Sequence, residues 1–326
     1  GVARSNSEQQ EKQHNQQRYA IAPTFSWRPS DKTNFTFLSY FQNEPETGYY
    51  GWLPKEGTVQ PLPNGSRLPT SFNEGAKNNT YSRNQKMVGY SFEHGFDDTF
   101  TVRQNLRFTE MKTAQKSAYG TGICTVADCA TVPAADVGHY LKRGPIVDNE
   151  RLQNFSVDTQ LQSKFATGAI DHTRLTGVDY MRMRNDSSAL FGNAPALDLN
   201  NRPSMSDVDF GSAEPYQMNE SKQTGIYVQD QAEWDKWVLT LGGRYDWSQQ
   251  ATTVRQNSST PTEGYIERND HQFTWRGGVN YLFDNGITPY FSYSQSFEPS
   301  AFDLWSVPRV SYEPSKGEQY EAGVKY

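Results

Sequence analysis

The chain has 326 residues, a net charge of −6, 35% hydrophobic residues and a mean hydropathy of −0.83. No stretch approaches the roughly 18–20 consecutive apolar residues of a membrane helix, and the acidic balance gives no electrostatic footprint for a nucleic acid. Leu, Ile, Val and Phe make up only about 18% of the chain, a level seen in disordered proteins, but aromatic residues reach 13%, and disordered chains are aromatic-poor.

Period-two alternation runs along the chain. Tyr19, Ile21, Phe25 and Trp27 share one face opposite Ala20, Thr24, Ser26 and Arg28. Phe100, Val102, Leu106 and Phe108 alternate with Thr101, Arg103, Asn105 and Arg107. Phe155, Val157, Leu161 and Phe165 alternate with Ser156, Asp158, Gln160 and Lys164. The segment 174–184 is less regular and suggests a bulge. Trp237, Leu239, Leu241, Tyr245 and Trp247 oppose Thr240, Arg244 and Asp246, and Phe273, Trp275, Val279, Tyr281 and Phe283 oppose Thr274, Arg276 and Asn280.

The polar faces carry charged residues in mid-strand, while the apolar faces end in Trp27, Phe108, Trp237, Trp247 and Phe283. An apolar outside with aromatic girdles and a polar inside is the pattern of a membrane β-barrel. Short turns near 29–31, 95–98, 168–171, 234–236 and 284–286 alternate with long segments at 46–79, 115–149, 187–220, 251–269 and 299–314. An outer-membrane barrel needs that alternation, with tight turns at one end and long loops at the other. The reading is all-β, a transmembrane antiparallel up-and-down β-barrel domain over 1–326, with about twelve strands or part-strands and both ends cut.

The run Phe291-Ser-Tyr-Ser-Gln-Ser-Phe-Glu-Pro-Ser300, followed by Pro314-Ser-Lys-Gly-Glu-Gln-Tyr-Glu-Ala-Gly-Val-Lys-Tyr326, resembles a signature of TonB-dependent siderophore receptors. The stretches Asn34 to Pro54, Tyr81 to Tyr90 and Leu152 to Phe165 are similar to the branch that takes ferrichrome-type siderophores. The resemblance implies a 22-stranded barrel closed by an N-terminal plug domain and energised by the TonB complex, which grips a box ahead of the plug. Plug, box and last strands are absent from this sequence, so 1–326 represents about half of the barrel.

No catalytic constellation is present in the sequence: the five His are scattered without metal-ligand spacing, and no Gly-x-Ser-x-Gly elbow occurs. A non-enzymatic transporter is therefore expected, without a cofactor, ferric iron entering only inside the siderophore. Gly48-Tyr49-Tyr50-Gly51-Trp52 stands out at the base of the first long loop, because adjacent aromatics there either pack in the loop or line a pocket for an amphipathic ligand. The resemblance implies that Tyr50, Trp52, Tyr119 and Phe191 contact a ferric hydroxamate siderophore. Thr121 and Asn193 depart from the family pattern, which has Tyr at both, and leave the preferred siderophore open. Cys124 and Cys129 could close a small disulfide in an oxidising compartment or be two unrelated thiols. The resemblance implies the disulfide, in a gating loop with shorter Cys spacing here, where phage tail proteins and toxins land on a relative. Lipid and lipopolysaccharide of a Gram-negative outer membrane complete the expected partners. The rival readings are a passive porin, a barrel enzyme of the outer membrane and a soluble β domain.

Overall fold

A computed structural model describes residues 2–8, 15–48, 51–200, 206–256, 262–300, 302–303 and 310–326. Its strands are β1 (Val2–Glu8), β2 (Asn15–Ile21), β3 (Thr24–Ser30), β4 (Thr33–Thr47), β5 (Thr80–Gly95) and β6 (Phe100–Ile123). They continue with β7 (Tyr140–Thr167), β8 (Ile170–Phe191), β9 (Ala194–Asp198), β10 (Glu214–Trp234) and β11 (Trp237–Val254). The last are β12 (Gly264–Tyr281), β13 (Thr288–Glu298), the two-residue β14 (Phe302–Asp303) and β15 (Val310–Ser311), and β16 (Ser315–Lys325).

One sheet carries fourteen of these strands, and twelve form a single antiparallel path, β1-β2-β4-β5-β6-β7-β8-β10-β11-β12-β13-β16. Neighbours in the path are neighbours in sequence apart from short side members, so the topology is a plain meander. β1 and β16 stand at opposite ends of the path and do not pair with each other. β3 pairs with β4 beside β2, so β2 and β3 act as one strand interrupted at Ala22 and Pro23. There the Pro23 carbonyl accepts from the Ser39 backbone N–H at 3.1 Å and from the Ser39 hydroxyl at 2.8 Å.

The register explains the sequence pattern. Across β6 to β11 one face carries the rows Leu106, Val157, Tyr180, Thr224 and Trp247, then Val102, Leu161, Thr176, Val228 and Gly243. Leu161, Thr176, Val228 and Trp247 are exposed in the isolated chain and the others are partly exposed, as expected of a face built for lipid. Below them, at the tight-turn end, Trp234, Trp237 and Tyr281 form an aromatic row, with Trp237 and Tyr281 centroids 4.8 Å apart. The opposite face is polar and internally paired. Arg244 bonds Asp179 and Asp246, and the Tyr227 hydroxyl donates to Asp158 at 2.7 Å. Glu44, 1% exposed, is held by Arg18 and Arg83.

Three expectations are corrected. The segment 115–149 is mostly strand: β6 runs on to Ile123, β7 begins at Tyr140, and only 124–139 connects them. The segment 187–220 likewise contains the end of β8, all of β9 and the start of β10. These extensions stand beyond the lipid-facing rows, where neither face must be apolar, so alternation fades while the hydrogen-bond ladder continues. No bulge interrupts 174–184, which pairs in unbroken register with both β7 and β10. The irregularities lie at Gln17/Tyr19, Trp27/Ser30, Gly120/Gly122, Leu141/Arg143 and Pro215/Gln217 instead.

Candidate functional site

The strand extensions of β6 and β7 form a platform on which the long connections fold. Residues 51–79 return across it and pack with 194–200 and 206–213. Ala76, Ala118, Val147, Val208 and Phe210 make one small buried cluster, and Leu62, Leu141, Leu197 and Leu199 make another. Polar clamps fix the two connections to the platform. Asn78 donates to the Val208 carbonyl at 2.9 Å and accepts from the Val208 N–H at 3.0 Å. The Asn79 side-chain carbonyl accepts from the backbone N–H groups of Ala76 and Ala118.

Arg143, 2% exposed, is the deepest tie. Its Nε donates to the Pro195 carbonyl at 2.8 Å, and its Nη1 donates to the carbonyls of Glu74 at 3.1 Å and Gly75 at 3.0 Å. A guanidinium is suited to this because it offers five donors in a fixed fork. It satisfies irregular backbone that has no ladder partner.

Trp52 and Tyr119 meet on this platform, with ring centroids 5.7 Å apart and planes at 74°. Two glycines make room for them. Tyr119 pairs across the ladder with Gly144, where an added Cβ would lie 3.3 Å from the Tyr119 Cζ and Oη. At Gly120 an added Cβ would lie 3.1 Å from the Trp52 carbonyl oxygen, so this glycine lets the returning loop cross β6 closely. The Trp52 ring stays 61% exposed, an apolar surface with an indole N–H at the mouth. Phe191 ends β8, and its backbone pairs with Ile146, which in turn pairs with Ser117, two residues before Tyr119. At about 4.8 Å per strand, the Phe191 backbone lies roughly 10 Å from that of Ser117. Tyr49 and Tyr50 lie outside the described residues. Thr121 sits at the Gly120/Gly122 irregularity and donates its hydroxyl to the Lys142 carbonyl at 3.2 Å.

Cys124 and Cys129 are joined by a disulfide. The Cys124 N–H donates to the Tyr140 carbonyl at 2.8 Å, which roots the small loop on β7. Asp128 accepts from Lys142 at 2.8 Å and from the Thr125 backbone N–H at 2.7 Å. These bonds, Lys142 first, hold the Asp128 carboxyl down at about 2.

Asp148 was not singled out by the sequence reading, which placed it within the long segment 115–149. It pairs with Gln115 on one side and Ala189 on the other, on the polar face near Glu150. Burial first, and the Glu150 charge second, push its carboxyl up to about 6. Its signal in the sequence is the i, i+2 acidic pair with no basic residue on the facing rows.

Twelve consecutive antiparallel strands, an apolar girdled face, a polar inner face and a folded cap over long loops define part of an outer-membrane receptor barrel. The chain belongs to the TonB dependent receptor-like, beta-barrel family, whose profile matches residues 24–326. It is 64% identical over its full length to the ferrichrome outer membrane transporter/phage receptor of Escherichia coli (strain K12), covering 44% of that protein. It is 35% identical over 95% of its length to the ferrioxamine B receptor of Salmonella typhimurium (strain SL1344), covering 42% of it. Among solved structures, the ferric-catecholate import receptor Fiu of K12 E. coli in its closed form superposes with a TM-score of 0.79 at 17% identity. That match covers 100% of this chain and 51% of Fiu. The chain thus spans less than half the length of these curated relatives.

Proposed function

We propose that this chain forms the siderophore-receiving half of an energy-coupled importer for ferric hydroxamates of the ferrichrome type. The observation that carries the reading is the Trp52–Tyr119 pair, seated on glycines with the Trp52 ring left exposed. Such a ligand offers peptide, hydroxamate and methylene surface, which suits aromatic faces with polar tips. Tyr50 and Phe191 complete the proposed contact set. The name of the 64% identical relative supports the same substrate class and a second role as a phage receptor. Phage tail proteins would meet the loop closed by Cys124 and Cys129. No cofactor takes part, and ferric iron is cargo within its chelator.

Energy would come through the TonB complex, acting on a part of the receptor outside this chain. Lipopolysaccharide would contact the outer wall above the aromatic rows, where Lys112, Arg151, Arg182 and Lys222 gather with Glu110 and Glu220. The test is uptake of radio-iron-labelled ferrichrome by cells whose full-length receptor carries this segment. Uptake that requires TonB supports the reading. Uptake that is equal with and without TonB, or no uptake from a normally assembled receptor, refutes it.

A further inference from the structure

On the lipid-facing wall, toward the tight-turn end, a hollow of about 1090 Å³ opens between β8, β10, β11, β12 and β13. Its floor is bare because Gly243 and Gly277 stand where neighbouring rows carry large side chains. Leu241, Phe273, Trp275 and Phe291 wall it. Two charged residues head the hollow. Arg174 and Asp230 are direct cross-strand partners, yet they form no ion pair with each other. Among the described residues Arg174 makes only a cation–π contact, 5.2 Å from the Phe165 ring centroid.

Asp230 is half committed. Its Oδ2 lies 2.7 Å from His172 Nδ1, and His172 Nε2 lies 2.6 Å from the Thr167 hydroxyl beside the turn. Its Oδ1 is buried and has no partner among the described residues. Thr167, His172 and Asp230 thus make a polar ladder climbing from the turn into the wall. Charged groups facing lipid are costly unless they are paired or can reach the interface. The long Arg174 side chain can reach back toward the interface. The short Asp230 side chain cannot, and among the described residues it relies on His172 alone.

We propose that this hollow binds one phospholipid of the leaflet at the tight-turn end, with a zwitterionic headgroup bearing a primary ammonium. The phosphate sits on the Arg174 guanidinium, the ammonium donates to the partly exposed Asp230 carboxylate, and one acyl chain lies over Gly243 and Gly277. The cation and anion, opposed but unjoined, match the two charges of such a headgroup. A quaternary ammonium lacks the N–H that a carboxylate accepts, and an anionic glycerol headgroup would face the carboxylate.

The test is native mass spectrometry of a full-length receptor carrying this segment, delipidated and offered equal amounts of dioleoyl phosphatidylethanolamine, phosphatidylcholine and phosphatidylglycerol. The wild type should retain the ethanolamine lipid about fivefold over the other two, a ratio that corresponds to about one hydrogen bond. Asp230→Asn should abolish that preference, Arg174→Gln should lower retention of all three lipids, and Gly277→Leu should fill the hollow and do the same. An added Cβ at Gly277 meets only ordinary contacts, the nearest at 3.4 Å, so that variant should fold. Heat-modifiable migration and ferrichrome binding would report an intact barrel. Equal lipid retention by wild type and all three variants, or preference of the wild type for either other lipid, would overturn the proposal.

Discussion

The Trp52 indole meets the Tyr119 ring edge-on, 5.7 Å between centroids, although one belongs to a loop and the other to strand β6. Aromatic pairs in this geometry contribute about 0.5–1.5 kcal/mol beyond their buried area. The contact fixes where the returning loop crosses the platform, and it also presents two rings together at the mouth.

Gly144 is the seat of that arrangement. Replacing it with Val places a branched side chain where even a Cβ would be 3.3 Å from the Tyr119 ring. The β6–β7 ladder survives, because Val suits a strand, but the ring must turn. Ferrichrome affinity should fall about tenfold, equivalent to about 1.4 kcal/mol, with little change in unfolding temperature. Titration of the purified variant in a full-length receptor checks this, and unchanged affinity would contradict the seating role.

Arg143 should govern the cap without governing the barrel. Arg143→Met keeps much of the volume but removes the donors to Pro195, Glu74 and Gly75. Each buried carbonyl left without a partner costs about 1–3 kcal/mol. Limited proteolysis should cut within 51–79 and 194–213 much faster in the variant, while heat-modifiable migration of the barrel stays normal. Equal cleavage rates would show that the loops are held by other contacts.

The disulfide should be present in protein matured in the periplasm. Mass spectrometry of chymotryptic peptides should find the peptides of Cys124 and Cys129 linked without reductant and separate with it. Free thiols at both positions would contradict the pairing.

Asp148 sets a pH dependence whose sign follows from its raised carboxyl, about 6 against an ordinary 3.8. Between those values the folded state binds the extra proton, so stability falls as pH rises through this window. Asp128 acts in the opposite sense and at lower pH: its stabilisation is complete above 3.8 and is lost toward about 2. Thermal unfolding between pH 4.5 and 6.5 therefore separates the two. Asp148→Asn should flatten the profile and raise stability at neutral pH. An identical slope in wild type and variant would remove Asp148 as its source.

Much of the wall was legible in the sequence because lipid imposes a strict two-residue period, as in Phe100 to Phe108 and Trp237 to Trp247. Where that demand ends, the signal ends too. Gly120, Gly144 and Pro145 look like strand breakers but lie inside β6 and β7. There the glycines admit a ring and a crossing backbone, and Pro145 still takes its place opposite Ala118. The cap was not legible. Leu62, Leu141, Leu197 and Leu199 gather from three distant segments with no shared period. Arg143, which falls in the segment 115–149 read as a long connection, is the buried tie between two of them. Trp52 stood out in its loop-base aromatic cluster, but Tyr119 was reached only through residue resemblance, since nothing local couples a loop tryptophan to a strand tyrosine.

The central claim is that mouth aromatics receive a ferric hydroxamate, and equilibrium binding of ferrichrome to single variants of a full-length receptor tests it most directly. An aromatic contact of roughly 60–80 Å² at about 25 cal/mol per Å² contributes about 1.5–2 kcal/mol. Trp52→Ala, Tyr119→Ala, Tyr50→Ala and Phe191→Ala should therefore each weaken binding about tenfold or more. Val59→Ala, which removes a 77% exposed apolar side chain from the same loop, should leave it unchanged. If all four aromatic variants bind ferrichrome like the wild type at normal folding and surface level, these residues only pack the cap, and the account of the site fails.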